Sequence, residues 1–394
     1  MKLQNLAPAL LVLLPFISGC QSNNRHADTQ LTKSGLNPEN FNAEIDGKST
    51  ALFTLTNDNG MEAAITNYGG RIVSLMVPDR DGKFRDVVLG FDSIADYFPE
   101  NNQTDFCASI GRYANRIDHG RLVIDGDTIQ LPVNNFGHCL HGGPTGWQYQ
   151  VYKANQPNDS VLILTMHSPD GDNNFPGNVT ATVTYSLSHD NTLYISYSAT
   201  TDRPTVINMT NHAYFTLSGD PTATVNDDIL YINASSFTPV DSTFMTTGEI
   251  LPVAGTPMDF TSAKPIGTDI ANTGYDQIKN GNGYDHNWIL DTKGDIDTPA
   301  AILTSPASGI TLTVYTDEPG IQFYSGNFLD GTITGKKGIV YPQRAALCLE
   351  TQHYPDSPNK PEWPSTTLRP GETYKSHTAF KFGISTDANA VPEK

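Results

Sequence analysis

The stretch ATVTYSLSHDNTLYISYSA, residues 181–199, alternates strictly: Ala181, Val183, Tyr185 and Leu187 are apolar or aromatic, while Thr182, Thr184 and Ser186 between them are hydroxylic. Successive side chains of a strand point to opposite faces, so this pattern buries one face and wets the other. SHDNT then supplies turn residues, and Leu193, Ile195, Tyr197 and Ala199 repeat the alternation. The spacing predicts an antiparallel hairpin. Similar units are predicted at 52–77 around Asp58-Asn59-Gly60, at 83–91 after Asp79-Arg80-Asp81-Gly82, and at 121–131 around Asp125-Gly126. Helical character is confined to Ser93–Tyr97, with Ser93 placed to cap it. Many short strands punctuated by turns imply a β-sandwich or barrel. No composition break divides residues 46–384, which are expected to form a single large antiparallel all-β domain followed by a polar tail, 385–394.

The N-terminus reads differently. Lys2 precedes an apolar stretch, Leu6 to Ile17, which is too short to span a bilayer as a helix and has the form of a secretory signal. Ile17-Ser18-Gly19-Cys20 resembles the bacterial lipobox, in which cleavage after residue 19 leaves Cys20 lipid-modified. The alternative is an ordinary cleaved signal containing a cysteine. Residues 20–45 are polar and Asn-rich and are expected to form a flexible tether, with Gln21 resembling the pattern sorted to an outer membrane. The expectation is an exported protein, periplasmic or anchored to the outer membrane, touching the membrane only through its lipid. The formal charge of −18 becomes 23 − 42 = −19 once residues 1–19, with Lys2, are removed. Phosphate backbones need a basic surface, so nucleic acid is excluded as a partner. Cys107, Cys139 and Cys348 have no C-x-x-C spacing and apolar neighbours, and read as buried small hydrophobes.

Chemistry concentrates in GRYANRI (111–117), HCLHGG (138–143), NHAYFTL (211–217), GYDHNW (283–288) and CLETQHYPDSPN (348–359). Read as a strand, the third of these places His212 with Asn208, Thr210, Tyr214 and Thr216, opposite the mostly apolar row Ile207, Met209, Asn211, Ala213, Phe215 and Leu217. His212 therefore faces away from the core, onto a solvated surface or into a cleft. Singly, each segment has a plain structural explanation: a paired surface arginine, a structural histidine, an exposed glutamate on an edge strand.

Together with SPDGDNNFPGNV (168–179) and GIQFYSGNFL (320–329), the five segments occur in the order and spacing of the aldose 1-epimerase (galactose mutarotase) family, which residues 46–384 resemble. The resemblance implies a galactose-mutarotase-like β-sandwich, or supersandwich, with a sugar site in an open cleft and no cofactor. It implies His212 as general acid, Glu350 as general base and His141 as a second catalytic imidazole, with Arg112, Asn115, Asp285 and Gln322 holding the sugar. Cys139 and Ala213 depart from the family pattern at positions outside those roles.

The chemistry fits these residue types. Exchanging pyranose anomers requires a base at the C1 hydroxyl and an acid at the ring oxygen. A carboxylate of reference pKa about 4.3 and an imidazole near 6.5 suit the two tasks without extreme tuning. Trp288, Tyr214 or Phe323 is a candidate platform for the sugar's C–H face. Two alternatives remain: a glycoside hydrolase using Asp285 with Glu350, or a sugar-binding lipoprotein without turnover. No metal is expected, because His138 and His141 lack zinc-ligand spacing. The scarcity of clustered Arg and Lys disfavours a sugar phosphate. The preferred aldose and the oligomeric state stay open.

Overall fold

The computed structural model describes residues 30–102 and 105–385, so residues 1–29, including Cys20, and the tail beyond 385 lie outside the described residues. Two sheets dominate. The larger has nine strands in the order Lys153–Asn158, Val161–Ser168, Val179–Leu187, Thr192–Thr201, Tyr374–Ile384, Ile310–Thr316, Ala301–Thr304, Ile229–Ile232 and Lys264–Pro265. The hairpin at 181–199 forms in the expected register, with Tyr185 opposite Ile195 and Leu187 opposite Leu193. Its apolar row is buried in full, and each such Val, Leu or Tyr contributes about 1.5–3 kcal/mol of transfer free energy.

The smaller sheet has six strands, Tyr214–Phe215, Leu347–Gln352, Gly320–Tyr324, Asp285–Ile289, Ser236–Thr238 and Leu251–Pro252. Its inward face (Phe215, Leu347, Leu349, Ile321, Phe323, Trp288) joins the core that the larger sheet also lines. A four-stranded sheet, Leu52–Thr56 to Phe84–Asp86, completes the antiparallel β-sandwich. Cys107, Cys139 and Cys348 are buried and unbridged.

Three local expectations need correction. The tether was placed at 20–45, but Leu36 and Phe41 are buried in the same cluster as Tyr68 and Phe91, so the chain is folded from about Thr32 onward. Leu36 and Phe41, with Ala43 and Ile45 packed beside them, anchor the segment. Ser93 donates to the Asp96 carboxylate rather than capping a backbone N–H, and Ile94–Tyr97 is a single 3-10 turn. The NHAYFTL strand is broken into Thr210–Asn211 and Tyr214–Phe215, because each piece pairs with a different partner, Ser109–Ile110 and Leu347–Gln352. Its two-sided character survives the break: Ala213, Phe215 and Leu217 enter the core, while His212 and Tyr214 face the other way.

A buried carboxyl also marks the larger sheet. Asp228 is 5% exposed just before the strand Ile229–Ile232, and burial raises its pKa to about 7. A folded-state pKa raised above the unfolded value contributes stability below the unfolded pKa that is lost as pH rises through the folded one. Asp228→Asn is therefore expected to raise the melting temperature at about pH 8 and change it little at about pH 4, where the native carboxyl is already neutral. Equal shifts at both pH values in thermal unfolding would refute this.

Candidate active site

The outward face of the six-stranded sheet carries the chemistry. Alternation on Leu347–Gln352 puts Cys348 and Glu350 opposite Leu347 and Leu349, and the register aligns Glu350 with Gln322 and Gln322 with Asn287. Asp285, on the same face, accepts a hydrogen bond from Gln322 Nε2 at 2.7 Å. Over this face lies a cleft of about 410 Å³ whose walls include Asp105, Asn115, Arg116, His141, His212, Tyr214, Asp285 and Glu350. Phe106, Phe136, Tyr324 and Phe328 add aromatic surface. Apolar walls with a few converging polar groups are the usual make-up of a small-molecule site.

His212 Nε2 stands 3.6 Å from Glu350 Oε1, and both side chains are almost fully buried. The imidazole stacks on Tyr214 with centroids 5.1 Å apart and planes 15° from parallel, and meets His141 edge-on at 5.2 Å. The Nδ1 of His212 and Oε2 of Glu350 have no hydrogen-bond partner and are themselves buried.

His141 is fixed by main chain. Its N–H donates to Asn115 O at 3.0 Å, and the Asn115 N–H donates to His141 Nδ1 at 3.2 Å. Nδ1 is thus an acceptor, which leaves the proton on Nε2. Both residues are left-handed, φ 58° for Asn115 and 51° for His141, a backbone form uncommon outside glycine. The neighbouring glycines make room for this contact. A Cβ on Gly111 would lie 2.1 Å from the Trp147 ring, and one on Gly142 2.3 Å from Gly111 O.

Electrostatics in the cleft oppose free charge. Burial first, then the charges of Asp285 and Asp105, push the Glu350 pKa well up, with Arg116 pulling the other way. Burial and the neighbouring His141 lower His212 to about 3, and burial lowers His141 to about 3. The expectation of near-reference pKa values for Glu350 and His212 therefore fails: desolvation favours the neutral form of each. The two directions agree in holding each group toward its neutral form, and at 3.6 Å no hydrogen bond joins them.

Of the sequence-predicted residues, His141, His212, Glu350, Asn115 and Asp285 meet in this cleft. Arg112 does not. Its guanidinium is buried behind the wall, donating to Pro176 O at 2.8 Å, Gly177 O at 3.1 Å and Ser168 Oγ, and so it ties GRYANRI to the 168–179 segment. Arg116, from the same motif, lines the cleft instead and donates to Asn135 Oδ1 at 2.9 Å. Gln322 holds Asp285 from behind rather than lining the cleft. Trp288 and Phe323 are core residues with no exposure, whereas Tyr214 does line the site. Asp105 and Arg116 were missed. Arg116 is the second arginine of GRYANRI, where the resemblance points to Arg112 instead, and Asp105 sits in a segment with no signal of its own. His141, His212 and Glu350 also offer ligand atoms within 4.8 Å of one another, a set that can hold a divalent cation in competition with an organic ligand.

The family model for aldose 1-epimerase matches residues 51–381. The chain is 41% identical to a galactose mutarotase of Mus musculus over 339 residues, covering 86% of this chain and 96% of the relative. An aldose 1-epimerase of Escherichia coli (strain K12) is also 41% identical, over 341 residues, with the same coverage. Among solved structures, a GalM/aldose epimerase homologue from C. elegans superposes with a TM-score of 0.77 at 32% identity, covering 85% of this chain and 99% of that one. The galactose 1-epimerase from Lactobacillus acidophilus NCFM gives 0.76 at 32% identity, covering 87% and 97%. With a two-faced antiparallel sandwich, an imidazole and a carboxyl across one cleft, and matches spanning nearly the whole folded chain, the protein belongs to the aldose 1-epimerase family.

Proposed function

We propose that this chain interconverts the α and β anomers of a neutral aldose by acid–base ring opening, with Glu350 and His212 as the proton-transferring pair. The observation that carries the residue assignment is their 3.6 Å approach inside the cleft, with an unpartnered atom on each. The relatives named galactose mutarotase make galactose the first aldose to test, and glucose the second. The absence of any lysine and the presence of one arginine among the lining residues suit an uncharged sugar rather than a phosphorylated one.

In the free site desolvation favours the proton on Glu350 over His212. Sugar hydroxyls donating to the carboxylate, together with Arg116, favour the charged arrangement, in which the proton has crossed to His212 Nε2. Glu350 then takes the proton of the C1 hydroxyl, the C1–O1 bond becomes a carbonyl, the C1–O5 bond breaks, and His212 delivers its proton to O5. Rotation about C1–C2 presents the other carbonyl face, and the same steps in reverse close the ring. His141, a fixed Nε2–H donor, and Arg116 stabilise charge developing on the ring oxygen. Asp285, an acceptor held in place by Gln322, binds sugar hydroxyls, and Asn115 contributes beside it. Tyr214, stacked under His212, closes the floor of the site.

Location rests on residues outside the structure. We propose that Cys20 carries a lipid and that the enzyme is exported, working in the periplasm or on the outer membrane; the support is Ile17-Ser18-Gly19-Cys20 after an apolar stretch. Metabolic labelling with a fatty-acid analogue, lost in Cys20→Ala, is the direct check.

Polarimetry of freshly dissolved α-D-galactose should show His212→Asn and Glu350→Gln each slowed by at least about 10²-fold, the low end of one acid–base contribution. Wild-type speed in either variant removes that residue from the mechanism, and phenol released from aryl glycosides would replace epimerase with hydrolase. Arg116→Gln should lower kcat by roughly 10²-fold as a lost charge-stabilising donor. Arg112→Gln, by contrast, should lower the melting temperature and leave kcat per folded molecule near wild type. A one-proton pair also fixes the pH profile. It gains a second proton only as pH falls toward the lowered His212 value of about 3, and loses its proton above the raised Glu350 value. Hence kcat/KM should show no acid limb near about 6.5, the ordinary imidazole value. Such a limb, if observed, would exclude this placement of the proton.

A further inference from the structure

Phe136 and Phe328 stand at the mouth of the cleft with about half their surface in solvent, 54% and 50%. They are not scattered singles. Their ring centroids lie 6.4 Å apart, and both rest on Phe244, at 5.2 and 5.4 Å, a ring that is itself buried. The Arg116 guanidinium lies 5.3 Å from the Phe244 ring centre, which joins this cluster to the polar wall of the cleft. An aromatic row then runs inward without a break. Phe328 stacks on Tyr324 at 6.3 Å and its backbone N–H donates to the Tyr324 hydroxyl at 2.9 Å; Tyr324 meets Tyr214 at 6.0 Å, and Tyr214 stacks with His212. Phe136 and Phe244 hold φ of 45° and 64°, a left-handed form uncommon for bulky side chains. A backbone cost is thus carried in two separate loops that bring their rings to one place.

From this geometry we propose that Phe136 and Phe328 form an outer subsite for a second sugar ring, so that the cleft takes reducing oligosaccharides by their terminal aldose. The inference rests on the reading of the cleft as a mutarotase site. Only the reducing-end ring has a free hemiacetal, so only that ring can react. In a pyranose C4 lies across the ring from C1, and C3 across from the ring oxygen. With C1 at Glu350 and the ring oxygen at His212, both buried, the C3–C4 edge points away from them, toward the mouth. A glycosyl group on that edge leaves the cleft past Phe136 and Phe328. Its face of C–H bonds is uncharged and slightly positive, which suits the negative face of an aromatic ring.

Two other uses of these rings fit less well. Packing is served by Phe244, which is buried, whereas Phe136 and Phe328 leave half their surface to water. Contiguous exposed apolar surface also serves contacts between protein chains. Rings devoted to such a contact have no need to continue into a buried polar cleft, and this row reaches His212.

The test compares glucose with cellobiose and maltose, which carry a second glucose on O4 in the two configurations, by polarimetry of freshly dissolved single anomers. Wild type is expected to accelerate at least one disaccharide with a KM no higher than that for glucose. In Phe136→Ala the ratio of that disaccharide's KM to the glucose KM should rise roughly 3- to 10-fold, the worth of one ring contact, while the disaccharide's kcat is retained. Phe136→Trp should hold the ratio at or below the wild-type value, and Phe328→Ala gives an independent second measurement. If wild type does not accelerate glucose, the mutarotase reading fails and the subsite falls with it. If it accelerates glucose but neither disaccharide, or if the KM ratio is unmoved in both alanine variants, the outer subsite alone is overturned. An unmoved ratio together with a changed elution volume in size-exclusion chromatography would assign the rings to a second copy of the chain instead.

Discussion

Period-two alternation on the strands of the six-stranded sheet is the constraint on which everything else rests. Leu347, Leu349, Ile321, Phe323 and Trp288 are committed to the core. Glu350, Gln322 and Asp285 are thereby forced to the opposite face. A slip of one residue would exchange the two sets, placing carboxyls in the core and leucines in the cleft. Stability and chemistry are in this way specified by the same register. The buried hydrophobic rows set the face on which the site's side chains stand, and local bonds such as Gln322 Nε2 to Asp285 then fix them there.

The site itself runs against stability. Two imidazoles, three carboxyls and a guanidinium share one cleft, and most are nearly buried. Desolvation drives Glu350 and His212 toward neutrality. A pair poised between neutral and charged arrangements is what a reaction with one proton leaving and one arriving needs. Strong ion pairing would have fixed the roles in one direction, whereas ring opening and closing require them to exchange.

Legibility followed the range of the interactions involved. The hairpin at 181–199 is readable because alternation is a local property, and the same logic turns His212 away from the core even though its strand is broken into two short pieces. His141, Glu350, Asn115 and Asp285 were identified from motif resemblance, and the cleft brings them together. The two arginines of GRYANRI could not be told apart in sequence: which one faces the cleft is decided by Trp147 packed on Gly111 and by the carbonyls of Pro176 and Gly177, all distant in the chain. Leu36 and Phe41 were invisible as anchors for the same reason, since a lone apolar residue in a polar segment has no periodicity to declare its destination.

The reciprocal bonding of Asn115 and His141 has a bearing on evolutionary tolerance. What orients this imidazole and fixes its tautomer is peptide backbone held at a positive φ, a form that asparagine and glycine take up far more readily than β-branched or bulky residues. The Asn115 side chain supports that form by accepting the Arg116 backbone N–H at 2.9 Å. Proline is ruled out altogether, lacking the amide hydrogen and unable to adopt that φ. Evolutionary change at position 115 is therefore confined to the few residues that keep the backbone, and with it the heading of the proton donor, intact.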